Sequence, residues 1–177
     1  MKIAENSALP IIIYNVPGRT ASNVSPETIL KLARADEKFV AVKDASGNFD
    51  QIHQLLKNRP KDFAVLSGDD PTALATIALG GEGVISVISN AFPREFSDMI
   101  RAALNGDYAT ARRLNLELYD VHKWLYKDGN PAGIKAVLNL LGFCENELNL
   151  PLIPASKETI GKLEKEVKKM AQFSIGA

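Results

Sequence analysis

Four short apolar runs, each rich in β-branched residues and each followed by a helical pattern, dominate the first part of this 177-residue chain. The runs cover residues 10–14, 39–43, 63–67 and 83–88. They are almost continuously apolar instead of alternating with polar residues, which is typical of strands buried on both faces of a parallel sheet. Strands that alternate with helices in this way predict an α/β fold with right-handed crossover connections.

Residues that start and stop helices separate the strands. Ser25, followed by Pro26, is a predicted N-cap, and Asn48 can cap a second helix over 49–57. Pro93 is predicted to open a helix that runs through Leu104 and ends at Gly106. After Gly106 the strands stop, and apolar residues at spacings of three and four predict three amphipathic helices, the last capped by Ser156. The chain is therefore predicted to consist of a βα section at residues 1–105 and a helical region at residues 106–177.

Composition narrows the class of function. Lys+Arg and Asp+Glu both number 21, so the net charge is zero, and there is no basic stripe of the kind that binds nucleic acid. Cys144 is the only cysteine, and His53 and His122 lie far apart, which argues against a disulfide and against a metal site built from His and Cys. No apolar run reaches the ~18 residues of a membrane span and no signal peptide is recognisable, so we expect no membrane partner and a cytoplasmic location.

Unusual polar residues occur where the predicted strands end, which is where parallel α/β folds hold their working residues. Lys43 ends the second strand, Tyr14 ends the first, and Arg19 follows a Val-Pro-Gly turn. Desolvation at a strand end favours the neutral amine of a lysine, which attacks ketones to form Schiff bases, and a fixed arginine suits a carboxylate. Taken singly, each side chain has a plainer interpretation as a core aromatic or surface residue, and Asp69 as a helix cap.

The motifs around these residues resemble those of the dihydrodipicolinate synthase family, within the class I pyruvate-dependent aldolase superfamily. The four motifs occur in family order and at family spacing: Tyr-Asn-Val-Pro-Gly-Arg-Thr, Val-Lys-Asp-Ala-Ser-Gly-Asn, Leu-Ser-Gly-Asp-Asp and Gly-Gly-Glu-Gly-Val-Ile-Ser-Val. The likeness covers essentially the whole chain. It implies the C-terminal half of a (β/α)8 TIM barrel, from the fifth strand onward, followed by a C-terminal helical region.

The resemblance also implies a reaction and a set of site residues. Lys43 forms an imine with pyruvate, Tyr14 relays protons, and Arg19 binds the carboxylate side of aspartate semialdehyde. Further substrate contacts are implied for the Ile85 backbone, for Gly68 with Asp69, and for Asn130. The implied enzyme is a lyase of the diaminopimelate route to lysine that uses no metal and no organic cofactor.

The resemblance stops short of the complete family barrel, which has eight βα units and roughly 250 or more residues. A Gly-Thr-Thr-Gly-Glu-like motif of the family is absent from this chain. Four βα units alone leave sheet edges and inward faces exposed. We therefore expect a homo-oligomer, such as the tetramer found in the family, or an N-terminal half-barrel as partner, and weak or no activity from this chain alone.

Three other interpretations stay open at this point. N-acetylneuraminate lyases and keto-deoxy-sugar aldolases use the same lysine and tyrosine but typically have no arginine at the position of Arg19. A non-catalytic oligomerisation half-barrel predicts a Lys43 that does not react with pyruvate. A phosphate-binding βα protein is the least favoured, because the sequence contains no glycine-rich Lys-Ser/Thr loop.

Overall fold

A computed structural model describes the backbone of residues 1–175 and the side chains up to residue 170. The chain forms two compact units, one from Met1 to Ser86 and one that begins at Val87. The sequence predicts a boundary near residue 105 instead, because the helix over 93–104 follows the last strand directly. In the structure that helix packs with the helices that follow it and belongs to the second unit.

The first unit contains a four-stranded sheet in which all neighbouring strands are parallel and lie in the order of the chain. Its strands are β1 (Ile11–Asn15), β2 (Phe39–Asp44), β3 (Ala64–Ser67) and β4 (Gly83–Val84). Its helices are α1 (Lys2–Asn6), α2 (Pro17–Thr20), α3 (Pro26–Ala35), α4 (Phe49–Asn58) and α5 (Ala73–Ala78), with a 3-10 turn at Asp70–Thr72. The α/β class and the parallel sheet predicted from the sequence are confirmed.

The two predicted N-caps of this unit are present. The Ser25 hydroxyl accepts a hydrogen bond from the Thr28 backbone N–H at 3.3 Å, and Pro26 opens α3. The Asn48 side-chain oxygen accepts from the Gln51 N–H at 3.2 Å and begins α4. Each cap satisfies one of the backbone donors that the first turn of a helix leaves unpaired, so each helix begins where its sequence predicts.

One face of the sheet is covered by the helices and holds the core of the unit. The buried core residues are Ala4, Ile29, Leu30, Phe39, Val42, Leu55, Phe63 and Val65. Phe39 joins Val42 here because the pairing of β1 with β2 shifts by one residue between Ile11 and Ile12. Strict alternation along the strand predicts Phe39 on the face of Lys43 instead, so the irregularity in pairing changes the outcome.

The other face of the sheet is open. The prediction that the strands are buried on both sides is therefore wrong for this chain, whereas the open face agrees with the exposed inward faces expected of four βα units alone. Ile12 is 46% exposed and Tyr14 is 51% exposed, although both belong to an apolar run. The fourth strand is also shorter than the predicted 83–88 and consists of Gly83–Val84 alone. Beyond it the Ile85 N–H donates to the Ser67 carbonyl at 2.9 Å, and the chain continues into a 3-10 turn at Ile88–Asn90.

The second unit is helical. Its helices are α6 (Pro93–Leu104), α7 (Tyr108–Leu125), α8 (Ala132–Leu140) and α9 (Lys157–Ile175). The predicted helix from Pro93 to Leu104 is confirmed at both ends, and Ser156 accepts from the Thr159 N–H at 3.2 Å as the predicted cap of α9. A Cβ atom on Gly133 would lie 1.9 Å from the Leu125 carbonyl oxygen, so only glycine lets α8 pass this close to the end of α7. Within residues 1–175 no helix is long and apolar enough to cross a lipid bilayer.

Candidate active site

Lys43 and Tyr14 meet at the carboxyl ends of two neighbouring strands. They are direct partners in the parallel register of β1 and β2. The Lys43 Nζ atom lies over the face of the Tyr14 ring, 4.0 Å from its centroid, where the electron-rich face attracts a cation. Lys43 is half-buried, and the Tyr14 side chain is on the open face of the sheet. An amine and a phenol are thus side by side and both within reach of a ligand.

Gly68 lies against the aliphatic stem of Lys43. Its N–H donates to the Asp44 carbonyl at 2.7 Å, which holds the end of β3 against the end of β2. A Cβ atom at this position would lie 3.0 Å from both Cγ and Cε of Lys43 and 2.9 Å from Cβ of Ala45. Contacts this short are avoided in folded proteins, so the glycine leaves the space that the lysine stem occupies.

Asp69 organises the turn that follows β3. Its carboxylate Oδ2 accepts from the Thr72 hydroxyl at 2.8 Å, and its N–H donates to the Ser67 hydroxyl at 3.2 Å. Asp69 is the N-cap residue of the 3-10 turn at Asp70–Thr72. Asp69 thus has the position of a helix cap, but its carboxylate accepts from the Thr72 hydroxyl and not from a backbone N–H of the turn. Its predicted contact with a second substrate stays a prediction.

Ile85 and Arg19 both lie in segments that follow strands of the sheet. Ile85 is 42% exposed, and its N–H already donates to the Ser67 carbonyl, so a ligand can use only the Ile85 carbonyl oxygen as a backbone partner. Arg19 is exposed and lies in α2, directly after β1. The predicted rigid turn at Val16-Pro17-Gly18 is the start of this one-turn helix, because Pro17 occupies its first position.

Asn130 belongs to the second unit. It follows α7, precedes a cis peptide bond to Pro131, and is half-buried. Its predicted contribution to the substrate site stays a prediction.

Sequence reasoning missed a buried polar cluster directly behind the Lys43–Tyr14 pair. Asn15 follows Tyr14, Asp44 follows Lys43, and the Asn15 amide donates to the Asp44 carboxylate at 3.0 Å. Both side chains are buried, as is Gln51, whose amide donates to the same carboxylate oxygen at 2.8 Å. The signal in the sequence was a polar residue directly after each of the first two apolar runs. Among the described residues, no group of three or more His, Cys, Asp or Glu side chains is arranged to bind a metal ion.

The sequence profile of the Dihydrodipicolinate synthetase family matches residues 1–170. The chain belongs to this family. Among its curated relatives is the 4-hydroxy-tetrahydrodipicolinate synthase of Phocaeicola vulgatus, which is 50% identical over 161 residues. That alignment covers 91% of this chain and 54% of the relative. The chain thus spans about half the length of the dihydrodipicolinate synthetase relatives it matches.

Solved structures of the same family share the fold. The crystal structure of dihydrodipicolinate synthase from Aquifex aeolicus superposes with a TM-score of 0.93 at 43% identity, covering 96% of this chain and 58% of that one. The chloride-inhibited enzyme from Acinetobacter baumannii, crystallised in complex with pyruvate, gives a TM-score of 0.91 at 34% identity with the same coverage of 96% and 58%. The parallel-sheet α/β fold is therefore that of the dihydrodipicolinate synthases.

Proposed function

We propose that this chain carries the imine-forming part of a 4-hydroxy-tetrahydrodipicolinate synthase site, with Lys43 as the nucleophile that attacks the ketone of pyruvate. The observation that carries the proposal is the position of Lys43 Nζ, 4.0 Å from the Tyr14 ring centroid at the open carboxyl ends of paired strands. Family membership supports it, as does the pyruvate bound in the Acinetobacter baumannii relative. Amine nucleophiles of this kind form Schiff bases with carbonyl substrates.

The proposed chemistry begins with a neutral Lys43 amine. Its attack on C2 of pyruvate forms a C–N bond, and loss of the carbonyl oxygen as water leaves a protonated imine. The imine withdraws electrons, so the methyl group gives up a proton and becomes an enamine that attacks the aldehyde carbon of aspartate semialdehyde. The semialdehyde amine then attacks the imine carbon, closes the ring and releases Lys43. Tyr14 is the proposed carrier of protons in these steps because its phenol is next to the amine and exposed.

The remaining predicted site residues are proposed as the groups that bind the two substrates. Arg19 holds the carboxylate of aspartate semialdehyde, for which a planar guanidinium is well suited. The Ile85 carbonyl contacts pyruvate, and its N–H is already bonded to Ser67. Gly68 with Asp69, and Asn130 from the second unit, are proposed as further contacts of the second substrate.

We propose further that β1 to β4 are the fifth to eighth strands of a (β/α)8 barrel, whose interior is the open face of this sheet. Two observations support this: Ile12 and Tyr14 are exposed on that face, and the chain covers 58% of the Aquifex aeolicus enzyme at a TM-score of 0.93. Closure requires four more βα units. An N-terminal half-barrel or a second copy of the chain can supply them.

Borohydride reduction in the presence of pyruvate tests the nucleophile. Reduction of an imine leaves a stable secondary amine, which intact and peptide mass spectrometry assigns to a residue. The expected result is one adduct per chain on the peptide that contains Lys43, and no adduct in Lys43→Ala. Labelling scattered over surface lysines, or an adduct that persists in Lys43→Ala, contradicts the proposal.

A chimera tests the second substrate. The part of the Phocaeicola vulgatus synthase that precedes its match to this chain is fused to residue 1, which supplies the remaining βα units. This chimera is expected to condense pyruvate with aspartate semialdehyde, and Arg19→Ala is expected to lower that rate far more than it lowers imine trapping. Equal losses in both steps would show that Arg19 does not bind the semialdehyde, and would reopen the sugar-aldehyde alternatives.

A further inference from the structure

We propose that Asp44 is a positioning residue, which holds Lys43 over Tyr14 through a closed ring of side-chain hydrogen bonds, of which the two to Asp44 are buried. The catalytic consequence of this inference rests on the proposed function, whereas the positioning itself does not. Asp44 and Asn15 directly follow Lys43 and Tyr14 in β2 and β1, and the two pairs occupy consecutive places in the register of those strands.

The ring joins four side chains from four segments of the first unit. Asn15 donates to Asp44 Oδ2 at 3.0 Å and to Asn23 Oδ1 at 2.9 Å. Asn23 donates to Gln51 Oε1 at 3.0 Å, and Gln51 donates to Asp44 Oδ2 at 2.8 Å, which closes the ring. The remaining oxygen of Asn15 accepts from the Val24 N–H at 3.1 Å. Each of the four ring bonds therefore joins an amide N–H to an oxygen acceptor.

Asp44 is the acceptor on which the ring converges. Its Oδ2 receives the Asn15 and Gln51 amides, and its Oδ1 receives the N–H and the hydroxyl of Ser46. All four bonds come from uncharged donors. A buried carboxylate in such a setting is costly to desolvate, and apolar residues of similar volume commonly give equal or greater stability. We therefore explain the Asp44 carboxylate by the fixed directions of its four hydrogen bonds and not by a gain in stability.

That constraint acts on strand register. Successive side chains of a strand point to opposite faces, so Asn15 and Asp44 anchor the covered side while Tyr14 and Lys43 occupy the open side. A slip of one residue between β1 and β2 would transfer every side chain of the slipped strand to the other face. The side-chain bond from Asn15 to Asp44, with the backbone bond from the Ala45 N–H to the Asn15 carbonyl at 2.8 Å, prevents this slip where the amine and phenol meet.

The test begins with Asp44→Asn, which keeps the volume but turns one acceptor oxygen into an NH2 group that faces other donors. The readout is the NMR shift of the Lys43 ε-methylene protons, because a group above an aromatic ring experiences an upfield ring-current shift. Tyr14→Leu, which removes the ring, identifies the size of that shift. The expected result is an upfield shift in the unmodified chain that is largely lost in Asp44→Asn.

Two further variants separate positioning from general destabilisation. Ile29→Val shortens a buried residue of α3 that is not part of the ring, and it is expected to lower the melting temperature while leaving the Lys43 shift unchanged. Gln51→Met removes one of the four bonds to Asp44 and is expected to give a smaller loss of the shift in a chain that still folds. A Lys43 shift that survives in both Gln51→Met and Asp44→Asn overturns the inference.

The rate of borohydride trapping with pyruvate provides the chemical readout. Displacement of a reacting group by about 1 Å lowers rates by up to roughly a hundredfold, so Asp44→Asn is expected to slow trapping at saturating pyruvate by at least about tenfold. Ile29→Val is expected to trap at the original rate. If the ring-current shift depends on Asp44 but the unmodified chain forms no adduct, positioning is supported and the proposed function fails. If the chain forms the adduct and Asp44→Asn retains both shift and rate, the inference alone fails.

Discussion

The two faces of the parallel sheet contain similar residues and differ in what lies over them. On the helix-covered face, Val42 and Val65 are fully buried, whereas on the open face Ile12 is about half exposed. The polar residues show the opposite contrast, since Asp44 is buried and fully hydrogen-bonded while Lys43 is next to an exposed phenol. The apolar character of a strand therefore shows that it belongs to a sheet, but not which of its faces is covered.

The strongest test of this difference between the two faces is to introduce an aspartate on each of them and to compare the loss of stability. Val42→Asp buries a carboxylate at a site with no exposed surface, and we expect it to cost several kcal/mol and to prevent stable folding, at roughly the upper end of single-substitution effects. Ile12→Asp on the open face of the same strand pair is expected to cost less than about 1 kcal/mol. Urea unfolding followed by circular dichroism measures both.

The outcome for Ile12→Asp decides what covers the open face. A small cost agrees with a face that is open in the 177-residue chain. A cost as large as that of Val42→Asp, with a change in oligomeric state by analytical ultracentrifugation, would mean that a second copy covers this face in solution. The face that contains Ile12 would then be open in a single subunit but covered in the assembly.

Short-range patterns in the sequence were sufficient for much of the fold. Ser25, Asn48 and Pro93 begin helices as predicted because a cap depends on residues within one turn of it. The meeting of Tyr14 with Lys43 also followed from a simple rule, since parallel strands align their carboxyl ends at one edge. The fourth strand was predicted too long, because the β-rich composition of 83–88 does not show where the neighbouring strand stops pairing.

The remaining errors involve partners that are distant along the chain. The bonds of Asp44 to Asn15 and of Asn23 to Gln51 each join residues 28 or 29 positions apart, and no local pattern contains that information. Exposure of Ile12 and Tyr14 depends equally on elements that are not adjacent in sequence. Gly68 is predicted from the sequence as a substrate contact, which stays a prediction, and its contact with the Lys43 stem was not foreseen.

A second prediction concerns the narrow space between Gly68 and Lys43. Gly68→Ala adds a Cβ atom 3.0 Å from two carbons of the Lys43 stem and 2.9 Å from the Ala45 Cβ, so we expect the stem to shift and to carry the amine away from its place over Tyr14. Imine trapping with pyruvate is expected to fall by roughly tenfold to a hundredfold. Gly18→Ala is the matched control, because a Cβ atom there meets nothing within 4 Å, and it is expected to leave trapping unchanged. Equal trapping in the two variants would show that the lysine stem adapts to the added methyl group.

A third prediction tests the covered face at the amino-terminal side of the sheet. Glu82 accepts from the Val65 N–H at 2.9 Å and forms an ion pair with Arg59. Glu82→Gln keeps an acceptor for Val65 and loses only the partly exposed ion pair, which we expect to cost roughly 0.5 kcal/mol. Glu82→Ala also leaves the Val65 N–H without its acceptor and is expected to cost about 1–3 kcal/mol. Urea unfolding of both variants, repeated at high salt, separates the two effects, because salt screens only the ion pair.

The smallest expected effect lies in the second unit and concerns the pH dependence of its stability. Asp107 caps α7, and hydrogen bonds from the Thr110 side chain and then from its backbone N–H hold the Asp107 pKa below its ordinary value of 3.8. A lowered folded-state pKa stabilises the fold above the unfolded-state value and loses this contribution as the pH falls through the folded-state value. Asp107→Asn keeps an acceptor but removes the charge, so its melting temperature should lie slightly below that of the unmodified chain at about pH 7 and converge with it once the pH falls below the lowered folded-state pKa. A difference that is constant across this range would show that Asp107 acts only as a neutral cap.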